Sequence, residues 1–281
     1  MKIKEILLAL TSFPVPTQAR TIENVVAVAQ KLEAMVSAIA FQLDVQSLIA
    51  LYGDSFDATG LVNADSELSE ANAGDLLDLF ETIATKRGIP HEQKLVRSRP
   101  TDLSRYLVDE ARFRDLSIVP ISAEDGRARV IAEQLIFESG RPILVLPDGS
   151  EREPSASLDN IAVAWDCSRP ATRAVADALP FLLQGKQVRI FTAIDDKVIR
   201  MKESGPALSR YLARHGVVSE LDEVKTGGRS IGEVFNDYVT QHKIDLLVMG
   251  GYGHSRMREF ILGGATKSIF ANPPTWTLIS H

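Results

Sequence analysis

Short apolar runs alternate with amphipathic stretches along this chain. Glu5-Ile6-Leu7-Leu8-Ala9-Leu10 and Asn160-Ile161-Ala162-Val163-Ala164-Trp165 each read as a buried strand. Each leads through a short polar turn into residues whose apolar positions recur at helical spacing. In the first half this helix is predicted over Ile22 to Ile39, with Val25, Val26, Val28, Ala29, Leu32 and Met35 on its apolar side. In the second it is predicted over Ala171 to Leu183, with Ala174, Val175, Ala178, Leu179 and Leu182.

The pattern repeats further along. Asp115 to Pro120 aligns with Asp245 to Gly250, each after a helix-like stretch, Leu103 to Phe113 and Ile231 to His242. Both halves close with a strand behind a proline, Pro142 to Pro147 and Pro274 to Ser280. Between them Asp148 to Ser157 is polar and rich in turn formers, as a linker is. The second half reads as strands at 161–165, 188–194, 217–224, 246–249 and 275–280, with helices at 171–183, 206–215, 231–242 and 264–271. The first half carries a longer loop, Gly53 to Glu67, before its second helix. Short apolar strands alternating with helices predict a parallel sheet covered on both faces, and right-handed crossovers make it doubly wound. The expectation is a tandem of two α/β domains, 1–147 and 158–281, joined by a linker at 148–157.

Composition narrows the function. The chain has 281 residues, 45% hydrophobic and 24% charged, ordinary for a soluble globular protein. Lys plus Arg number 31 against 37 Asp plus Glu, a net charge of −6. That balance argues against a general nucleic-acid binder, which needs surplus cations, and leaves room for a local basic groove. No apolar run reaches the ~18 residues of a membrane span, and Ile6 to Leu10 is too short for a secretory segment. Cys167 is the single cysteine, so neither a disulfide framework nor a thiolate metal cluster is expected. The five histidines show no metal-ligand spacing. The reading is a cytoplasmic protein without a structural metal and without nucleic acid or membrane as partner.

In an open parallel sheet, ligands bind beyond the carboxyl ends of the strands, where strand order reverses. Glycines at 250, 253 and 263 sit at such an end, the first two closing a predicted strand and the third opening a helix. Gly250 and Gly253 suit close approach of the backbone to a ligand and a positive φ. Gly263 and Gly264 offer consecutive N–H groups at a helix start, where the dipole favours phosphate. Thr266 adds a hydroxyl one turn in, and Asp166, at the end of the domain's first strand, suits ribose hydroxyls. The same residues also suit a structural role, with the glycines in tight turns and Asp166 or Ser168 capping the next helix. Spacing and placement do not separate the two. Cys167 suits packing, His254 a solvated loop, and Lys267 lacks the preceding glycine of a phosphate-loop lysine. No Gly-x-Ser-x-Gly turn and no carboxylate pair stands out as catalytic.

From Val248 to Thr266 the chain reads Val-Met-Gly-Gly-Tyr-Gly-His-Ser-Arg-Met-Arg-Glu-Phe-Ile-Leu-Gly-Gly-Ala-Thr. This resembles the nucleotide-binding signature of the universal stress protein family, G-x-x-G-x9-G-[ST]. The likeness extends to Ala164-Trp165-Asp166-x-Ser168 and to the final Leu278-Ile279-Ser280-His281, and the whole chain resembles the tandem type. The resemblance implies five-stranded parallel sheets of order 3-2-1-4-5 and ATP or a related adenine nucleotide as ligand, with Mg only alongside it. It implies Asp166 at the ribose and the Ala193 backbone near the adenine. Gly250 and Gly253 would line ribose and phosphates, and Gly263, Gly264, Ala265 and Thr266 would hold the phosphates. One position departs: the hydroxyl residue directly after the third glycine is Gly264 here. The first half departs more widely, with Thr11 in the place of Asp166, Pro120-Ile121 for Gly250-Gly251, and Val130 near the place of Gly263. It reads as a ligand-free pseudo-partner. The family also implies pairing through the last strand, hence an intrachain pseudo-dimer, with further homo-oligomerisation open. The implied role is non-enzymatic and regulatory, acting through an unnamed protein partner. A nucleotide-free interaction or dimerisation module is the alternative, and a slow ATPase lacks a base.

Overall fold

A computed structural model describes residues 2–43, 59–122, 126–149, 157–194, 203–251 and 264–281, with the backbone alone for 59–65. Two compact units divide between Arg141 and Pro142.

The first unit runs β1 (Glu5–Leu10), α1 (Ala19–Leu32), β2 (Met35–Leu43), α2 (Thr59–Arg87), β3 (His91–Ser98), α3 (Leu103–Ala111), β4 (Leu116–Ile121) and α4 (Gly126–Glu138). Its strands are parallel in the order β3-β2-β1-β4. The central β1 is flanked on both sides, which explains why Ile6, Leu7 and Leu8 are all fully buried. α1 packs against α2, and α3 against α4; right-handed crossovers place these pairs on opposite faces.

The second unit holds β5 (Ile143–Pro147), β6 (Asn160–Ala164), α5 (Arg169–Leu182), β7 (Gln187–Ala193), α6 (Ser204–Arg214), β8 (Glu220–Val224), α7 (Ile231–His242), β9 (Leu246–Gly250), α8 (Gly264–Ala271) and β10 (Trp276–Ser280). Here β8-β7-β6-β9-β10 are parallel, the expected order 3-2-1-4-5. β5 pairs antiparallel with β10, Leu144 opposite Leu278, and so counts with this unit. Among the described residues no helix is long and apolar enough to cross a membrane.

Two predicted elements differ from the observed ones. The helix expected over 22–39 ends at Leu32, and Met35 and Ile39 belong to β2. Glu33 turns left-handed (φ 54°), and the N–H groups of Glu33 and Ala34 cap the carbonyls of Gln30 and Ala29 at 3.1 and 3.0 Å. Met35 then donates to the Lys4 carbonyl at 2.8 Å and joins the sheet. The loop expected over Gly53 to Glu67 is helical from Thr59 onward, while 53–58 lie outside the described residues. Predicted bounds of the remaining described elements fall within a few residues of the observed ones.

Candidate functional site

In the second unit strand order reverses between β6 and β9, so the crevice beyond their carboxyl ends is the switch point. The β6 side is built by a tight capped turn. Trp165 continues the ladder by donating its N–H to the Phe191 carbonyl at 2.9 Å. Asp166 is exposed, and its Oδ1 accepts the Ser168 N–H at 3.0 Å across Cys167, which is left-handed (φ 59°). Ser168 is the N-cap of α5, its Oγ accepting the Ala171 N–H at 3.3 Å, with proline in the first turn. The Asp166 carboxylate is thereby held at the surface by its own loop.

Gly250 closes β9 opposite Ser280 of β10. A Cβ there would stand 2.4 Å from the Ala171 nitrogen and 2.7 Å from the Pro170 carbonyl carbon. Its φ is not left-handed, so the expected positive φ does not occur. Close backbone approach does occur, and its partner is the first turn of α5. Gly251 next donates to the Ser280 carbonyl at 2.8 Å, and His281 Nδ1 donates back to the Gly251 carbonyl at 3.1 Å. The structure thus joins Gly250 to the turn that carries Asp166.

Ala193 is the half-buried last residue of β7, in register with Val224 of β8. Gly253, Gly263 and His254 lie outside the described residues. Gly264, the first residue of α8, is exposed, and a Cβ on it would meet only Ile231 Cγ2, at 3.7 Å. Ala265 is half-buried, and Thr266 is buried at 2% exposure. α8 is seated by α7: a Cβ on Gly232 would lie 2.2 Å from Ser268 Oγ. The start of α8 therefore lies beside the start of α7. The exposed Gly264 at the head of α8 suits an anion, and Asp166 suits a polyol, so the donor set fits a nucleotide.

Two features escape sequence reasoning. The Trp165 indole N–H is buried with no hydrogen-bond partner among the described residues, one position before Asp166. The signal was present: a lone large aromatic ends a strand of Ile, Ala and Val. The second is the capping box of α7, where Ser230 Oγ accepts the Glu233 N–H at 3.3 Å and Glu233 Oε2 accepts the Ser230 N–H at 2.7 Å.

The equivalent crevice in the first unit is closed. Thr11 donates its N–H to Thr17 Oγ1 at 3.0 Å, and Thr17 returns its N–H to the Thr11 carbonyl at 2.8 Å. Leu10, Phe13, Phe41, Leu43 and Val119 fill the strand ends, leaving a cavity of about 20 Å3. That is room for about one water molecule.

Each unit is therefore a doubly wound α/β domain, and the second keeps a polar switch-point crevice. Residues 157–280 match the model of the Universal stress protein family. Over nearly its whole length the chain is also similar to solved structures. A universal stress protein from Archaeoglobus fulgidus DSM 4304 is 12% identical with a TM-score of 0.69, over 98% of this chain and 95% of that one. A protein described as a universal stress protein from Pseudomonas aeruginosa UCBPP-PA14 is 11% identical with a TM-score of 0.61, over 99% and 93%. The cytoplasmic domain of a prokaryotic cation chloride cotransporter is 12% identical with a TM-score of 0.52, over 99% and 95%. At such identities the likeness is one of fold. A comparison with curated protein sequences found no match.

Proposed function

We propose that residues 158–281 bind an adenine nucleotide, ATP or a close relative, and that nucleotide state alters association with a protein partner without catalytic turnover. The observation that carries this reading is the β6/β9 switch point, where an exposed, loop-held Asp166 and Gly250 meet at the first turn of α5. The exposed start of α8 supplies amides for phosphates, with Gly264 leading. Mg enters only with the nucleotide. Stress response is the biological setting that the family match of residues 157–280 supports.

A nucleotide-free interaction module is the second reading. It is favoured by the packing of Gly250 on Pro170 and Ala171 and by the burial of Thr266, both of which give these residues structural reasons to be what they are. Calorimetric titration of ATP into the nucleotide-free full chain separates the two. The proposal expects binding that Asp166→Ala weakens about tenfold, the loss of roughly one hydrogen bond to a charged group, with the unfolding midpoint little changed. Absence of ATP and adenosine binding supports the second reading instead. Single-turnover hydrolysis of ATP faster than about 0.1 s⁻¹ contradicts the non-enzymatic part, since ordinary enzymes turn over at about 1–10³ s⁻¹.

A further inference from the structure

The N-terminal unit has an open cleft of about 490 Å3 at the carboxyl end of β3, away from its closed switch point. Arg97, Arg99 and Arg105 line it with Tyr106, Asp102 and Asp109. Arg99 and Arg105 are exposed, and among the described residues neither guanidinium has an ion pair or hydrogen bond. The two carboxylates do not balance this charge. Asp109 is already held by Arg112 at 2.8 Å, and Asp102 accepts the Thr101 hydroxyl at 3.3 Å.

The fold does not require this arrangement. At the matching place in the second unit, a cleft of about 290 Å3 beside β8 and α7 carries Asp222, Glu223 and Asp237 against Lys225 and Arg229. There Asp222, Asp237 and Arg229 are paired, and the exposed Glu223 and Lys225 offset each other in charge. Arg229 pairs with Asp237 at 2.5 Å, Arg189 lies 3.4 Å from Asp222, and the Tyr238 hydroxyl donates to Asp222 at 2.5 Å. The same edge of the repeat is thus self-neutralised in one unit and left cationic in the other, on a chain whose net charge is −6.

We infer that the β3/α3 cleft binds a small phosphorylated anion, gripped by Arg99 and Arg105 and flanked by Arg97. A guanidinium presents a planar fork that matches two phosphate oxygens at once. The volume falls within the ~300–1,000 Å3 of small-molecule sites. Asp102, and the Glu110 carboxylate that Lys94 holds at 3.2 Å nearby, disfavour an extended polyanion. This site is separate from the crevice proposed for the nucleotide.

Calorimetry of the full chain with inorganic pyrophosphate tests it. Binding is expected, weakening between about 50 and 200 mM salt. Arg99→Ala and Arg105→Ala are each expected to lower affinity about tenfold, as losing a charge-assisted bond does. The lysine variants are expected to recover part of that loss, and Asp166→Ala to leave pyrophosphate binding at this cleft intact. Both arginines are exposed, so unchanged thermal unfolding should confirm that the variants fold. No binding at millimolar pyrophosphate, or binding indifferent to both substitutions, overturns the inference. Tighter binding of single-stranded DNA than of pyrophosphate, lost in the same variants, also overturns it and makes the cleft a nucleic-acid surface.

Discussion

A methyl group on Gly250 would sit 2.4 Å from the amide nitrogen of Ala171, closer than real Cβ contacts come. The obstacle is backbone at the capped start of α5, which cannot swing aside as a side chain can. Gly250→Ala is therefore expected to destabilise the chain by about 2 kcal/mol, within the usual range for overpacking, read as a lower urea midpoint at unchanged slope. Gly264 is the contrast. It has no left-handed φ, and its added Cβ would find only an ordinary contact at 3.7 Å. Gly264→Ser should fold normally and restore a hydroxyl at the exposed head of α8. Its bond to phosphate, partly offset by displaced water, is worth about 1.4 kcal/mol, so ATP should bind about tenfold tighter. Adenosine should gain less. Paired titrations decide it: equal gains for both ligands, or none for ATP in a fully stable variant, mean that this residue does not face phosphate.

Among the elements, α7 shows how local chemistry fixes an end. Ser230 and Glu233 satisfy each other's backbone amides, so Ser230→Ala is expected to cost about 1 kcal/mol near neutral pH, the usual price of an N-cap. The Ser230 hydroxyl and then its N–H hold the Glu233 carboxyl below the usual carboxylate range. A depressed pKa favours the ionised folded state, so its contribution is present above the unfolded value and lost as pH falls through the folded one. The gap between wild type and Ser230→Ala should therefore shrink below about pH 4, which acid-side chemical unfolding can follow. This helix was legible in the sequence from Ile231 to His242 because its apolar residues, Val234, Phe235, Tyr238 and Val239, keep one helical period. The α1/β2 boundary was not, because buried residues run on without a break from helix into strand. The turn between them rests on Glu33 in a left-handed conformation, with neither Gly nor Asn to announce it. The same limit applies to the site. Spacing along the chain put Asp166 and Gly250 at strand ends, but packing alone reveals that Gly250 lies on Pro170 and that Thr266 is enclosed.

At the scale of the whole chain, one architecture occurs twice with opposite treatment of its switch point. In the second unit the strand ends carry Asp166 and glycines, and the loop after β6 is held open by capping bonds to its own backbone. In the first, Phe13, Phe41 and Leu43 occupy the corresponding space, and Arg127 lies over the Phe13 ring at 5.6 Å while donating to the Phe13 carbonyl at 3.3 Å. A cavity of about 20 Å3 admits no adenine ring, and opening it would expose apolar side chains at ~25 cal/mol per Å2. Calorimetry with adenosine, which has no phosphate to visit the arginine cleft, should thus give at most one site per chain, weakened about tenfold by Asp166→Ala. Enlarging the first crevice by Phe41→Ala should lower stability by about 3–5 kcal/mol, as emptying a packed core does, without creating a second adenosine site, because Thr11 supplies no carboxylate for the ribose. Two adenosine sites of similar affinity in the unaltered chain, one of them indifferent to Asp166→Ala, would show that the first unit binds nucleoside after all and that the asymmetry between the repeats is not functional.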